Sequence, residues 1–74
     1  MENELEDIIY RMQITKLESK LALREIERES LNREIATRTL TPDRHVEAIE
    51  RRDELQTECA QLLTELETLR QSHQ

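Results

Sequence analysis

The sequence has 74 residues, a formal net charge of −6, one aromatic residue and no glycine. This length and inventory exclude a large globular core, and strong helix formers dominate what remains. The acidic charge argues against nucleic acid and anionic membranes as partners, and no apolar run reaches the roughly 18 residues of a membrane span.

The first predicted element is a helix over residues 3–37. It carries a stripe whose members are alternately four and three residues apart, which is the heptad spacing of a coiled-coil seam. The members of this stripe are Tyr10, Ile14, Leu17, Leu21, Arg24, Arg28, Leu31 and Ile35.

The segment "TRTLTPDRH", residues 37–45, contains the only proline. Thr41 is a good N-cap, Pro42 fits the first helical position, and Asp43 suits the positive end of the helix dipole. We therefore predict a turn at 38–41, a second helix over 42–70 and a frayed tail at 71–74. Because the connection is short, antiparallel neighbours are favoured over one long helix with a proline kink.

The second helix repeats the heptad spacing. Its seam residues are Ala48, Arg52, Leu55, Cys59, Leu62, Leu66 and Leu69. Folding the chain at residues 39–40 sets Leu31 against Ala48 and Leu21 against Cys59, with both stripes in register. The predicted fold is therefore all-α, a single antiparallel two-helix coiled-coil hairpin over residues 1–74. A swapped dimer would form the same layers.

Two arginines, Arg24 and Arg28, occupy seam positions near Leu55 and Arg52. Long arginine stems can lie along a seam while their guanidinium groups reach water. Acidic neighbours that can offset the charge are Glu25, Asp53 and Glu54. The alternative is a layer that sets the register or meets an acidic group of a partner.

The first helix carries more apolar residues than one seam needs. The additional ones, roughly opposite the seam, are Leu5, Ile8, Ile9, Met12, Leu23 and Ile26. Lys16 and Ser19 divide them into two patches, and Val46, Ile49 and Leu63 lie outside the seam of the second helix. Exposed apolar surface of this kind marks an interaction site. The partner is either a second copy, giving a homodimeric four-helix bundle, or a different protein with a helical groove.

Chemistry-bearing residues are sparse. His45, Cys59 and His73 lie far apart in the sequence, without metal-ligand spacing, and a glycine-free chain has no phosphate-binding loop. We expect Cys59 in the core, His45 exposed in a first turn and His73 in the frayed tail. A two-helix hairpin offers no catalytic pocket, so we expect no enzyme, no metal and no cofactor.

The order of these elements resembles a known family. An opening "LEDII" at residues 5–9, a long helix, a proline turn "LTPDRH" at 40–45 and a second amphipathic helix are similar to the E-type (YscE-like) co-chaperones of type III secretion. This resemblance implies pairing with a tetratricopeptide-like, helical-repeat chaperone that keeps the needle subunit soluble in the cytoplasm before export. Because they form the apolar face outside the seam of the first helix, the expected partner-binding residues are Leu5, Ile8, Ile9, Met12, Leu23 and Ile26.

A second resemblance is local. The stretch "LESKLALREIERESLN", residues 17–32, is similar to the first coiled-coil segment of SlyX-like small proteins. The acidic start "MENELEDII" lacks the basic and apolar regions of a secretory signal, and the lone cysteine has no internal partner. Both features favour a cytoplasmic protein.

Overall fold

Residues 4–73 of a computed structural model form two helices, α1 over Glu4–Thr37 and α2 over Pro42–His73. The predicted all-α hairpin is confirmed. The molecule is a rod of 59 × 15 × 14 Å with a radius of gyration of 17.0 Å. A compact domain of this length would have a radius of gyration of about 11 Å. Each helix therefore packs against its neighbour along one side and meets solvent around the rest.

Cross-helix side-chain contacts establish the antiparallel register. Glu27 contacts Arg51 near the middle of the hairpin, and Asp7 contacts His73 at the open end. Leu31 and Ala48 line one depression of the surface, together with Leu40 from the turn. These contacts lie within one helical turn of the register that folding at residues 39–40 predicts.

The core is narrow and belongs mainly to α2. The buried apolar side chains of residues 4–73 are Ala48, Leu55, Cys59 and Leu66. All four occupy predicted seam positions, and the remaining seam residues of both helices are half-buried. The heptad spacing thus identified the buried side of each helix, and Cys59 is a core residue as expected.

The turn contains a residue in the left-handed region. Arg38 follows the last residue of α1 with φ of 55°, where glycine is the usual occupant. Its backbone N–H donates to the carbonyl of Ile35 at 3.3 Å. The hydroxyl of Thr37 donates to the carbonyl of Glu34 at 2.8 Å. These two bonds use carbonyls that the end of a helix leaves without intrahelical partners.

The start of α2 has the expected cap. The backbone N–H of Arg44 donates to Thr41 Oγ1 at 3.4 Å, and that of His45 donates to the Thr41 carbonyl at 2.8 Å. Pro42 is the first helical residue and Asp43 lies in the first turn. His45 is half-buried rather than exposed, because it sits one turn before Ala48 on the seam side.

The prediction of a frayed tail is wrong for residues 71–73, which continue α2. His73 stacks on Tyr10 and contacts Asp7, so the open end of the hairpin is held by side-chain contacts. Residue 3, where α1 was expected to begin, and residue 74 of the expected tail lie outside the described residues.

Candidate protein-binding surface

The six predicted partner-binding residues all lie on the solvent side of α1, and we refer to them as the outer stripe. Their exposed fractions are 67% for Leu5, 54% for Ile8, 47% for Ile9, 66% for Met12, 63% for Leu23 and 65% for Ile26. Isolated exposed apolar side chains are ordinary, but six on one side of one helix are not. The structure therefore leaves this stripe without a covering element from residues 4–73.

The outer stripe lies opposite the seam because its members recur at helical spacing about half a turn away from it. It consists of an N-terminal patch, residues 5–12, and a C-terminal patch, residues 23–26, with Lys16 and Ser19 between them. α1 is therefore apolar on two opposite sides, and α2 covers only one.

The surface around Met12 has two depressions. One depression of about 340 Å³ is lined by Ile9, Met12, Gln13 and Lys16. Another of about 400 Å³ is lined by Arg11, Met12, Thr15 and Lys16. Two hollows flanking a protruding side chain are what the knobs of a facing helix fill in coiled-coil packing.

α2 contributes less to the exposed apolar surface. Val46 and Leu63 are each 54% exposed, and they are more than four turns apart along the helix. Ile49, which the sequence grouped with them, is half-buried. The exposed apolar residues of α2 thus form no second stripe.

A charged network crosses the seam at its middle. Arg24 Nε donates to Glu58 Oε2 at 3.1 Å. Arg51 Nε donates to Glu27 Oε2 at 3.0 Å, and its Nη1 lies 3.1 Å from Glu54 Oε2 and 3.9 Å from Glu58 Oε1. The two helices are therefore joined by ion pairs where the seam of α1 carries arginines instead of apolar residues.

Arg51 is the hub of this network. The hydrogen bond to Glu27, then that to Glu54, raise the pKa of the Arg51 guanidinium above its usual value. A raised pKa for a cation stabilises the fold at every pH below the unfolded value, and the contribution is lost only as the pH climbs through the folded value. The Arg51 guanidinium therefore stays charged at any physiological pH.

The acidic partners differ from those expected. Asp53 contacts Arg52 at 3.4 Å and Glu54 contacts Arg51, whereas the partner of Arg24 is Glu58, one turn further along α2. Buried Arg52 Nε donates no hydrogen bond within residues 4–73. The seam arginines Arg24, Arg28 and Arg52 are half-buried.

A second contact cluster closes the open end. The rings of Tyr10 and His73 are stacked with centroids 3.7 Å apart and planes 9° from parallel. His73 Nε2 lies 3.2 Å from Asp7 Oδ1. Nearby, Arg70 Nη2 donates to Glu18 Oε2 at 3.1 Å. We refer to the contacts of His73 with Tyr10 and Asp7 as the clasp, because they hold the two helices together at the open end of the hairpin.

An open groove of about 500 Å³ runs between the helices. It is lined by Gln13, Lys16, Leu17, Lys20, Thr64, Glu65, Thr68, Leu69 and Ser72. Thr64 and Ser72 donate their hydroxyls to carbonyls of their own helix, at 3.0 Å each. These two hydroxyls are therefore engaged with the backbone of α2.

The candidate metal ligands His45, Cys59 and His73 lie apart from one another. No three His, Cys, Asp or Glu side chains of residues 4–73 converge as a metal site would require. His45 lies near the turn and His73 at the opposite end, while Cys59 is buried between the helices. Neither α1 nor α2 is apolar enough over its described length to cross a membrane.

No protein-family model, no curated protein and no solved structure matches this chain. Its function must therefore be inferred from its own surface.

Proposed function

We propose that this chain is a non-enzymatic protein-binding module whose outer stripe packs against a helical partner. The observation that supports it is the stripe itself, in which six large apolar side chains are between 47% and 67% exposed on one side of α1. Its depressions around Met12 suit the side chains of a facing helix.

The total surface also supports a partner. The chain exposes 6110 Å², whereas a compact monomer of 8.9 kDa would expose about 4,800 Å². The excess is larger than the roughly 800 Å² that each partner buries in a standard protein interface. Because so few side chains of residues 4–73 are buried, the hairpin gains much of its stability only when the stripe is covered.

The finer proposal follows the family resemblance. The partner is then a helical-repeat chaperone, and the complex keeps a secretion needle subunit soluble in the cytoplasm before export. The concave side of a helical-repeat protein suits a rod of 15 × 14 Å cross-section. The two apolar patches of the outer stripe would provide the affinity in this complex, and the chain would need no cofactor.

The test is a pull-down from the native host with the tagged chain and two matched double variants. Ile9→Glu with Met12→Glu places two charges in the outer stripe. Val46→Glu with Leu63→Glu places the same charges on exposed apolar positions of α2. We expect the wild type and the α2 variant to capture a helical-repeat chaperone with a small needle subunit, and the stripe variant to lose both.

Circular dichroism of the three proteins separates binding from folding, since neither double change touches the seam. Equal helicity with selective loss of capture supports the outer stripe as the binding surface. Undiminished capture by the stripe variant means that another surface binds. Recovery of the tagged chain alone, at a multiple of its own mass, contradicts the co-chaperone proposal.

A further inference from the structure

The outer stripe has an internal symmetry centred on Lys16. The pair nearest to Lys16, one residue on each side of it, is Met12 and Ser19, and the next pair is Ile9 and Leu23. The last pair is Leu5 and Ile26. The polar residues Lys16 and Ser19 thus lie between the two apolar patches. Leu5 and Ile9 of the N-terminal patch have counterparts at nearly equal distances in the C-terminal patch, whereas Ile8 has none.

A surface with this arrangement can pack against the same surface of a second copy that runs in the opposite direction. In a two-fold symmetric contact, if one residue meets a second, the second meets the first on the other side of the axis. With the axis at Lys16, Ile9 of one copy faces Leu23 of the other, and Leu5 faces Ile26. Each copy's N-terminal patch then covers the C-terminal patch of the other.

We propose that a second copy of this chain covers the outer stripe, with the two α1 helices antiparallel about a two-fold axis at Lys16. The dimer is a four-helix assembly in which the two α1 helices form the centre and each α2 lies outside. This is a heptad-spaced contact of the same kind as the seam, used a second time on the opposite side of α1.

Side-chain size favours the antiparallel arrangement over the parallel one. In the antiparallel contact, the protruding Met12 faces the small Ser19 twice. A parallel contact would set Met12 against Met12 and Ser19 against Ser19, which crowds one layer and leaves a gap in the other. Close packing of large against small residues is the more stable choice.

Charge favours the same arrangement. The first turn of α1 contains Glu4, Glu6 and Asp7. Parallel helices would bring two copies of this acidic turn together at one end of the dimer. Antiparallel helices place the two acidic turns at opposite ends of the dimer. Lys16 meets Lys16 at the axis in either case, and its long stem allows the ammonium groups to reach water.

The exposed area is sufficient for a stable dimer. A standard interface buries about 800 Å² on each partner, and a helix of 34 residues is about 50 Å long. The outer stripe spans residues 5–26, so the contact would extend along most of α1. The chain's excess surface over a compact monomer is larger than this requirement, as calculated above.

The inference depends on the proposed function in one respect, which is that the same stripe serves both contacts. The second copy would cover the stripe in the free protein, and a helical partner would have to displace it. Self-association and partner capture are therefore competing equilibria, and each can be measured without the other.

Orientation is tested with single-cysteine variants in a Cys59→Ala background. Ile9→Cys and Leu23→Cys proteins with different tags are mixed in reduced form and then oxidised in a glutathione buffer. A disulfide needs Cα atoms within about 7 Å. We expect the mixed 9–23 bridge to exceed each like-with-like bridge at least about fivefold, and Lys16→Cys to bridge to itself.

The mass of the untagged wild type by sedimentation equilibrium is the second measurement. We expect the wild type to be a dimer. Its dissociation constant should rise at least about tenfold in the Ile9→Glu variant and should be unchanged in the Leu63→Glu variant, whose substitution lies on α2. If Cys59→Ala loses the wild-type mass, the bridging is repeated with Cys59 retained, since this thiol is only 3% exposed.

Three outcomes would overturn the inference. The first is a wild-type protein that is monomeric at tens of micromolar, on the order of ordinary dimer affinities. The second is a predominance of 9–9 and 23–23 bridges over 9–23 bridges. The third is an Ile9→Glu protein that dimerises as strongly as the wild type. A monomer that still captures the chaperone contradicts only this inference. A bridged dimer that captures no partner contradicts only the proposed function.

Discussion

The ring of Tyr10 lies flat against the imidazole of His73, with centroids 3.7 Å apart and planes 9° from parallel. Tyr10 is in the second turn of α1 and His73 is the last residue of α2. The contact therefore joins the two ends of the chain that lie farthest from the turn. Asp7, 3.2 Å from the imidazole Nε2, completes the clasp.

Removing this clasp should loosen the open end. We expect His73→Ala to lower the free energy of unfolding by about 0.5–1 kcal/mol, most of it from the lost aromatic stack. The Asp7 contact is about half exposed, so it should add little. Urea denaturation at a fixed protein concentration measures the total, and amide exchange around residues 8–12 should accelerate more than near the turn.

His73→Phe and Gln71→Ala are the matched controls. Phenylalanine preserves the stack without the Asp7 contact and should recover most of the stability. Gln71 is exposed at the same end, so its replacement should have no measurable effect. If the alanine variant at 73 unfolds at the wild-type urea concentration, the clasp contributes nothing.

The clasp was missed although the sequence contains a signal for it. The seam of α2 continues through Leu62, Leu66 and Leu69, and the next position at this spacing is His73. One heptad before Ile14, the seam of α1 reaches Asp7. The spacing alone places the end of each seam at its last apolar residue, because a polar residue near a terminus is ordinarily exposed to water. Two polar residues that complement each other can extend a seam by another layer.

The ion pairs were also only partly predictable. Spacing located Arg24 and Arg28 in the seam, but the partner of Arg24 is Glu58 rather than Glu25. Neighbours in sequence on a helix point in different directions, whereas residues flanking the seam on opposite helices face each other. By contrast, Thr41 and Pro42 fixed the start of α2, because capping depends only on local chain geometry.

The turn offers a stabilising substitution. Arg38 has φ of 55°, which costs a residue with a Cβ atom about 1 kcal/mol relative to glycine. We expect Arg38→Gly to raise the free energy of unfolding by about that amount, measured by urea denaturation. Thr39→Gly is the control, because it adds backbone freedom at a position without positive φ and should not stabilise. A destabilised Arg38→Gly protein would mean that the arginine side chain contributes more than its strained backbone costs.

The narrow core predicts a large contrast between two leucines of α2. Leu55 is fully buried, whereas Leu63 is 54% exposed two turns later. We expect Leu55→Ala to lower the free energy of unfolding by about 2–3 kcal/mol through lost burial and the cavity left behind. Leu63→Ala should cost less than about 0.5 kcal/mol. Thermal melting at one protein concentration compares them, and similar melting temperatures would contradict the assigned core.

Replacing Arg52, which lies in the seam, should stabilise the hairpin, in contrast to replacing Leu55. Its side chain is 29% exposed, its buried Nε donates no hydrogen bond within the described chain, and its contact to Asp53 is 3.4 Å long. An unpaired buried donor costs about 1–3 kcal/mol, and a leucine at a seam position would bury apolar surface instead. We expect Arg52→Leu to raise the free energy of unfolding by about 1–2 kcal/mol in urea denaturation.

Arg24→Leu is the informative comparison, because Arg24 has a cross-helix partner in Glu58 at 3.1 Å. Its replacement gains the same apolar contact but leaves Glu58 with only the longer contact to Arg51, so the net gain should be smaller than at position 52. A mass measurement on both variants shows whether the charged layer also controls chain pairing. If Arg52→Leu destabilises the hairpin while Arg24→Leu does not, the Arg52 guanidinium has a favourable contact that outweighs its unpaired Nε.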